Sequence, residues 1–219
     1  MSSFRNALVT GGRSGIGAAL VARLEREAVQ VRVLDIVDGF DVSDPARWEE
    51  VGPVELACLN AGVTTGATEV AKLTDDQYRR ILGANVDGVV FGVRRLARVM
   101  EGGSIVVTAS VAGLTTMEID PIYGGTKHFV VGFVRSVAKQ LRERGIRINA
   151  VCPAIVDTPL LGEGAAVRIR AAGYELLSPE EVADAILTVA ASEETGQAWP
   201  LLPGRPLEPH PFPRFFQSA

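Results

Sequence analysis

Tyr123 and Lys127 bound the motif Tyr123-Gly-Gly-Thr-Lys127. Residues four apart share a face of a helix, so phenol and ammonium would stand side by side. The preceding Asp120-Pro121 is a helix opening, an Asp cap followed by a proline whose missing N–H costs nothing there. The spacing predicts a helix from about Pro121 to Arg144. A phenol of pKa ~10 exchanges protons poorly at neutral pH. An ammonium fixed at ~4 Å in an effective dielectric of ~20 favours phenolate by ~4 kcal/mol, about three pKa units. That would bring Tyr123 into the range where a proton shuttle works best. Taken alone, Tyr-x-x-x-Lys is also an ordinary amphipathic spacing, so its neighbours have to decide.

Gly11, Gly15 and Gly17 suggest a second chemistry. They lie in Thr10-Gly-Gly-Arg-Ser-Gly-Ile-Gly17, after an apolar strand at residues 4–9 and before an amphipathic helix to about Ala28. Glycines at such a turn let the backbone approach a pyrophosphate, which sits on the helix N-terminus. A tight turn needing positive φ is the alternative reading. Asp35 closes the next strand, 18 residues beyond Gly17. A carboxylate there can accept both ribose hydroxyls of an adenosine and would oppose a 2′-phosphate. That repulsion is of order 4 kcal/mol per charge pair at ~4 Å, and about half of it after screening. The result is an expected preference of roughly 30-fold for a free adenosine ribose over a 2′-phosphorylated one. Arg13 is the contrary signal, a cation in the glycine turn within reach of a phosphate. Ser14, immediately before Gly15, and Ile36, immediately after Asp35, carry no positive charge.

Ser110 ends a strand, where a sheet of this type places ligands, and offers a hydroxyl to a substrate oxygen. Asn85 lies mid-helix between Gly83 and Gly88, a position that disfavours asparagine. Such a weak patch suits a kink that exposes a carbonyl to a water leading toward Lys127; a plain surface asparagine is the alternative.

These groups need a scaffold, and the chain of 219 residues suits one domain with a substantial core. Its 47% hydrophobic and 22% charged residues are those of a soluble globular protein. A net charge of −4 and a pI near 5.3 argue against a nucleic-acid surface. No apolar run approaches ~18 residues, which argues against a membrane span. Met1 to Asn6 leads into the first strand without a signal-peptide apolar region, so a cytoplasmic protein is expected. Cys58 and Cys152 sit in apolar strands and read as reduced core residues. His128 and His210, the only histidines, have no partners at metal-ligand spacing, so no metal is expected.

Strands are predicted at 30–34, 54–59, 104–108 and 147–151, with a short last one at 199–202. Thr74-Asp-Asp-Gln77 and Ser178-Pro-Glu-Glu181 are capping boxes. They open helices to about Met100 and Ala191. Alternating strands and helices mean a parallel sheet covered on both faces. Only five residues separate Asp35 from Asp41, and a parallel crossover needs at least ~10–12. The third strand and its crossover helix should therefore be missing, with residues 36–43 passing over the sheet edge as a loop.

Thr10-Gly11-x-x-x-Gly15-Ile16-Gly17, Asp41-Val42, Asn60-Ala61-Gly62, Asn85, Ser110, Tyr123-x-x-x-Lys127 and Pro153-x-x-x-x-Thr158 occur in the order and approximate placement of a known family. Over roughly residues 4–202 the chain resembles the short-chain dehydrogenase/reductase family. The resemblance implies a single-domain α/β fold with a Rossmann-like, doubly wound parallel sheet that binds a nicotinamide dinucleotide. Asn85, Ser110, Tyr123 and Lys127 match the family's catalytic tetrad. Asp41 and Val42 would meet the adenine, Asn60, Ala61 and Gly62 the adenosine side. Lys127 would bind the nicotinamide ribose. Thr158 would hold the carboxamide, in a segment with Pro153 and Ile155. Two departures are Leu59 where a second asparagine is common and Ala154 where glycine is usual.

Substrate choice should lie in the loop 159–175, hinged at Gly162 and Gly164. Leu160, Leu161, Val167 and Ile169 would give it an apolar inner face, and Val111, Leu114, Met117 and Ile119 would add wall. The Pro- and Phe-rich tail 203–219 should pack along its own body or across a subunit boundary. The Tyr123 helix should turn Tyr123, Lys127, Val130, Val134 and Leu141 inward, with Phe129 and Phe133 to one flank. Gly125, Gly132 and Ser136 would let another helix approach, giving a homodimer or homotetramer. The expected activity is NAD-dependent hydride exchange with a secondary alcohol or ketone on a mostly apolar body. A carrier-linked 3-oxoacyl reductase and a non-catalytic dinucleotide-binding regulator are the alternatives.

Overall fold

The structure is a computed structural model and describes residues 4–66 and 69–213. Its core is one parallel sheet with strand order β2-β1-β3-β4-β5-β6. The strands are β1 (Asn6–Thr10), β2 (Gln30–Leu34), β3 (Leu56–Leu59), β4 (Gly103–Thr108), β5 (Ile146–Pro153) and β6 (Ala198–Leu201). Strands buried on both faces need apolar residues at successive positions, because side chains alternate across the sheet. In β3, Ala57 and Leu59 face one core, while Leu56 and Cys58 face the other. Helices α1 (Gly15–Arg26) and α7 (Pro179–Ala191) pack on the second face, α4 (Gly88–Val99) and α5 (Pro121–Arg142) on the first.

Both capping boxes form. Thr74 and Gln77 cap α3 (Asp75–Leu82), and Ser178 and Glu181 cap α7. The helix opened at Thr74 does not run straight to Met100. A π turn at Gly83–Asp87 separates α3 from α4, which places Asn85 at the expected kink. Gly88 is required there, since a Cβ would stand 2.7 Å from Val42 Cγ2.

Among the described residues no strand lies between β2 and β3, so β2 forms the sheet edge. The expectation that residues 36–43 cross the edge as a plain loop needs correction. Ile36–Asp38 forms a 3₁₀ turn because the Asp35 carboxylate accepts Val37 N–H. Beyond it, Asp44 caps the single-turn helix α2 (Pro45–Trp48). Trp48 is buried in that turn, and its Nε1–H donates to Val42 O at 2.9 Å. Side-chain caps and one anchored indole make these turns, neither of which produces a hydrophobic period.

The loop 159–175 contains a 3₁₀ turn at Pro159–Leu161 and α6 (Ala165–Ala171). Gly162 (φ 83) and Gly164 (φ 66) supply the left-handed backbone between them. The tail follows its own body as far as Pro213. His210 N–H donates to Ala198 O at 2.7 Å, and the Arg135 guanidinium lies 3.6 Å from the Phe212 ring centroid. Phe215 and Phe216 lie outside the described residues.

Candidate active site

Asp120 sets the start of α5. Its carboxylate accepts Tyr123 N–H at 3.0 Å and Thr65 N–H at 2.8 Å, tying the helix to the loop after β3. Lys127, one turn on, is 5% exposed and donates from Nζ to Thr108 O at 2.9 Å. The Tyr123 phenol lies near enough to the Ser110 side chain for that hydroxyl to lower its pKa. Ser110 ends β4, accepts Ala112 N–H at 3.1 Å and donates to Pro153 O at 3.5 Å. The strand end, the helix face and the phenol therefore meet as the motif spacing required.

The electrostatics differ from the sequence expectation. Burial holds the Tyr123 phenol above its ordinary range; the Ser110 side chain pulls it down, and Asp120 and Cys152 push it up. Burial lowers the Lys127 ammonium to about 8. Its Nζ stands 5.5 Å from the Tyr123 ring centroid. Desolvation of both groups outweighs the charge–phenol attraction that spacing alone suggested. Cys152 lies beside them as a thiol pushed up to about 12 by burial.

Asn85 reaches the same region from the π turn. Its Oδ1 accepts Val63 N–H at 2.8 Å; its Nδ2 donates to Val63 O at 2.9 Å and Thr126 Oγ1 at 3.1 Å. It is a clamp that fixes the Gly62-Val63 backbone to α5. Gly62 leaves room for this, since a Cβ there would stand 3.2 Å from Asn85 Oδ1 and 3.6 Å from Lys127 Nζ.

The glycine turn lies across the strand ends from this cluster. Gly11 (φ +64) and Gly15 (φ +48) need the left-handed region. Gly17 serves the turn itself, because its Cβ would fall 2.0 Å from Gly11 O. Ser14 precedes α1 without a side-chain cap, and the first turn, with Ile16, holds no acidic residue. The helix N–H groups and their dipole therefore suit a pyrophosphate. Asp35 is buried and accepts Arg13 N–H at 2.9 Å and Val37 N–H at 3.2 Å. Thr158 packs against Gly15, bringing the start of the 159–175 loop to the same turn.

Asn60 sits at the centre of the strand ends rather than at their rim. Its amide approaches Thr10 O at 3.3 Å and Gly11 O at 3.4 Å and accepts from Thr108 Oγ1 at 3.1 Å. Ala61 abuts Gly11, and Val42 packs on Gly88. The Asp41 carboxylate closes its own turn on Ser43. Ile155 O accepts Leu177 N–H at the neck of the loop. Leu161 and Ile169 are half-buried there, whereas Ile119, Leu160 and Val167 are exposed. Arg170 is held by Asp157 at 2.6 Å. A cavity of about 400 Å³ opens beside that neck, lined in part by Tyr174, Leu177 and Gly204, but it contains none of the tetrad residues. Position and chemistry both favour the Tyr123 cluster as the reacting site. Sequence reasoning gave no role to Thr10, whose hydroxyl accepts Asn60 and Ala61 N–H, or to Thr108, whose carbonyl holds Lys127. Among the described residues no group of three or more His, Cys, Asp or Glu is placed to hold a metal.

The sequence profile described as short chain dehydrogenase matches residues 45–167. The 3-oxoacyl-[acyl-carrier-protein] reductase MabA of Mycobacterium avium is 30% identical over 202 residues, covering 83% of this chain and 78% of that protein. The chain belongs to the short-chain dehydrogenase family. Another relative, a 3beta-hydroxysteroid dehydrogenase of Mediterraneibacter gnavus, is 32% identical over 183 residues, 70% of this chain and 66% of that protein. A 3-ketoacyl-(acyl-carrier-protein) reductase from Brucella melitensis, solved with NADH, has the same fold. It aligns at a TM-score of 0.82 and 24% identity over 92% of this chain and 98% of that one. As a member of this family the chain is an oxidoreductase. Enzymes of this family act on small-molecule substrates.

Proposed function

We propose that this short-chain dehydrogenase exchanges a hydride between NAD(H) and a secondary alcohol or ketone on a mostly apolar substrate. The observation that carries the reading is the buried Lys127 amine 5.5 Å from the Tyr123 ring, with the Ser110 side chain close enough to act on the phenol. Bound NAD(H) supplies the hydride acceptor or donor; the protein supplies position and a proton path. Tyr123 gives its proton to the forming alkoxide in reduction and takes it in oxidation, while Ser110 hydrogen-bonds the same oxygen. Lys127 stabilises the phenolate when that proton has left. Asn85 keeps the Gly62-Val63 backbone at the width this arrangement needs. Gly11, Ser14, Gly15, Ile16 and Gly17 hold the pyrophosphate, and Asp35 takes the adenosine hydroxyls. Val42, Asn60, Ala61 and Gly62 support the adenosine side, with Asp41 at its edge and Arg13 on the turn. Pro153, Ile155 and Thr158 serve the nicotinamide end beside Lys127. The assembly is a homodimer or homotetramer in the cytoplasm, where both buried thiols stay reduced.

Parallel steady-state kinetics with NAD and NADP on a panel of secondary alcohols test the reading. At least ~30-fold higher kcat/KM with NAD is expected. Equal or better use of NADP would overturn the role of Asp35. The relative from Mycobacterium avium favours a second reading, a carrier-linked 3-oxoacyl reductase. A 3-oxoacyl thioester reduced faster on a carrier than as a free short-chain analogue would select it.

A further inference from the structure

Arg13 is a cation beside the carboxylate proposed to read the adenosine ribose. Its own N–H donates to Asp35 Oδ2 at 2.9 Å. Its guanidinium turns instead to Asp38, with Nε to Oδ2 at 2.6 Å. Asp38 is available because of the local fold. The Asp35 side chain caps Val37 N–H, the chain closes into the 3₁₀ turn Ile36–Asp38, and Asp38 N–H donates back to Asp35 O at 3.0 Å. Gly39, at φ 83, then redirects the chain so that Phe40 N–H also reaches Asp35 O. One short turn thus presents two carboxylates, Asp35 to the interior and Asp38 to the surface, with Arg13 held by both.

Resting on the NAD reading above, we infer that Asp38 is a second cofactor-discriminating residue. It ties down Arg13, the cation of the glycine turn, so that no free guanidinium meets a 2′-phosphate beside Asp35. A guanidinium held at Nε by a carboxylate has one of its bidentate edges occupied and its charge offset, so it offers a phosphate less. The pair is open to solvent, with side chains 54% and 41% exposed. Breaking it should therefore cost little stability, and the freed Arg13 can turn toward the ribose side. Asp35 excludes a 2′-phosphate by repulsion. Asp38 acts by withholding an attraction.

The test is calorimetric binding of 5′-AMP and 2′,5′-ADP to the wild-type protein, Asp38→Asn, and the double variant Arg13→Ala/Asp38→Asn. Asp38→Ser serves as a second substitution at the exposed position. The wild type should bind 5′-AMP more tightly. Both single variants should raise the ratio of 2′,5′-ADP to 5′-AMP affinity by roughly tenfold, and by less as salt is added. The double variant should return to the wild-type ratio, because the gain acts through Arg13. An unchanged ratio in both single variants, or a raised ratio that survives removal of Arg13, overturns the role of Asp38. A wild type that itself prefers 2′,5′-ADP overturns the parent reading on Asp35. The two failures are thus distinguishable.

Discussion

Lys127 is a buried amine whose hydrogen-bond partner, Thr108 O at 2.9 Å, carries no formal charge to neutralise it. Its ammonium is accordingly lowered from 10.5 to about 8. Below about pH 8 the folded and unfolded states both hold the proton, and the full cost of the buried charge is present. Between about 8 and 10.5 the unfolded chain binds more protons, so stability rises with pH across that window. Lys127→Met should therefore stabilise the protein without nucleotide by about 2 kcal/mol at neutral pH. This is a shift worth about 3 kcal/mol less roughly 1 kcal/mol for the lost hydrogen bond. The gain should fade toward pH 10.5, and a pH-independent gap in urea melts would refute it. At the neighbouring position, Tyr123→Phe should leave NAD affinity nearly intact and lower kcat at least ~10²-fold; wild-type turnover would remove Tyr123 from the proton path. That Tyr123, Lys127, Ser110 and Asn85 would come together was legible in sequence from residue type, spacing and the family resemblance. The ammonium's partner was not, since any residue can supply a backbone carbonyl. Nor was the direction of the Tyr123 shift, which depends on burial depth rather than spacing.

The interrupted helix α3–α4 shows what a poor helix residue can be for. Asn85 lies in the π turn and satisfies both backbone groups of Val63. Asn85→Ala would leave that N–H and carbonyl without their partner, at a cost of about 1–3 kcal/mol. The melting temperature should fall by several degrees, and an unchanged transition in calorimetry would show that the clamp is not structural. Most element boundaries were legible because β-branched runs, capping boxes and the Asp120-Pro121 opening each carry a local signal. The segment 36–48 was not. Its turns rest on Asp35 and Asp44 bonding backbone N–H groups two residues on, and on the Trp48 indole reaching Val42 O. Asp44-Pro45 repeats the chemistry of Asp120-Pro121, but the helix it opens is a single turn without a periodic face. The Arg13–Asp38 pair depends on that same segment and was hidden with it.

At the scale of the whole molecule, α5 has one face inside the subunit and another without an internal use. Lys127, Val130, Val134 and Leu141 are buried, whereas Gly125, Phe129, Gly132 and Ser136 form an exposed stripe. A glycine in a helix interior costs about 1 kcal/mol relative to alanine. Among the described residues nothing requires glycine here, since a Cβ at Gly125 or Gly132 would meet none of their packing atoms within 4 Å. Phe129, 43% exposed, stacks on Phe133 with ring centroids 5.9 Å apart and presents a flat apolar edge beside the glycines. Such a stripe suits close approach by the same helix of a second subunit. Gly132→Ala separates the cases by sign. In a monomer it should raise stability by about 1 kcal/mol through helix propensity alone. Across a packed helix pair the added methyl should weaken assembly instead, and Gly132→Glu should abolish it while leaving the subunit folded. Light scattering at micromolar concentration should therefore report an oligomer for the wild type and a monomer for Gly132→Glu. A monomeric wild type, stabilised by Gly132→Ala, would leave α5 as a solvent-facing helix and end the case for assembly through it.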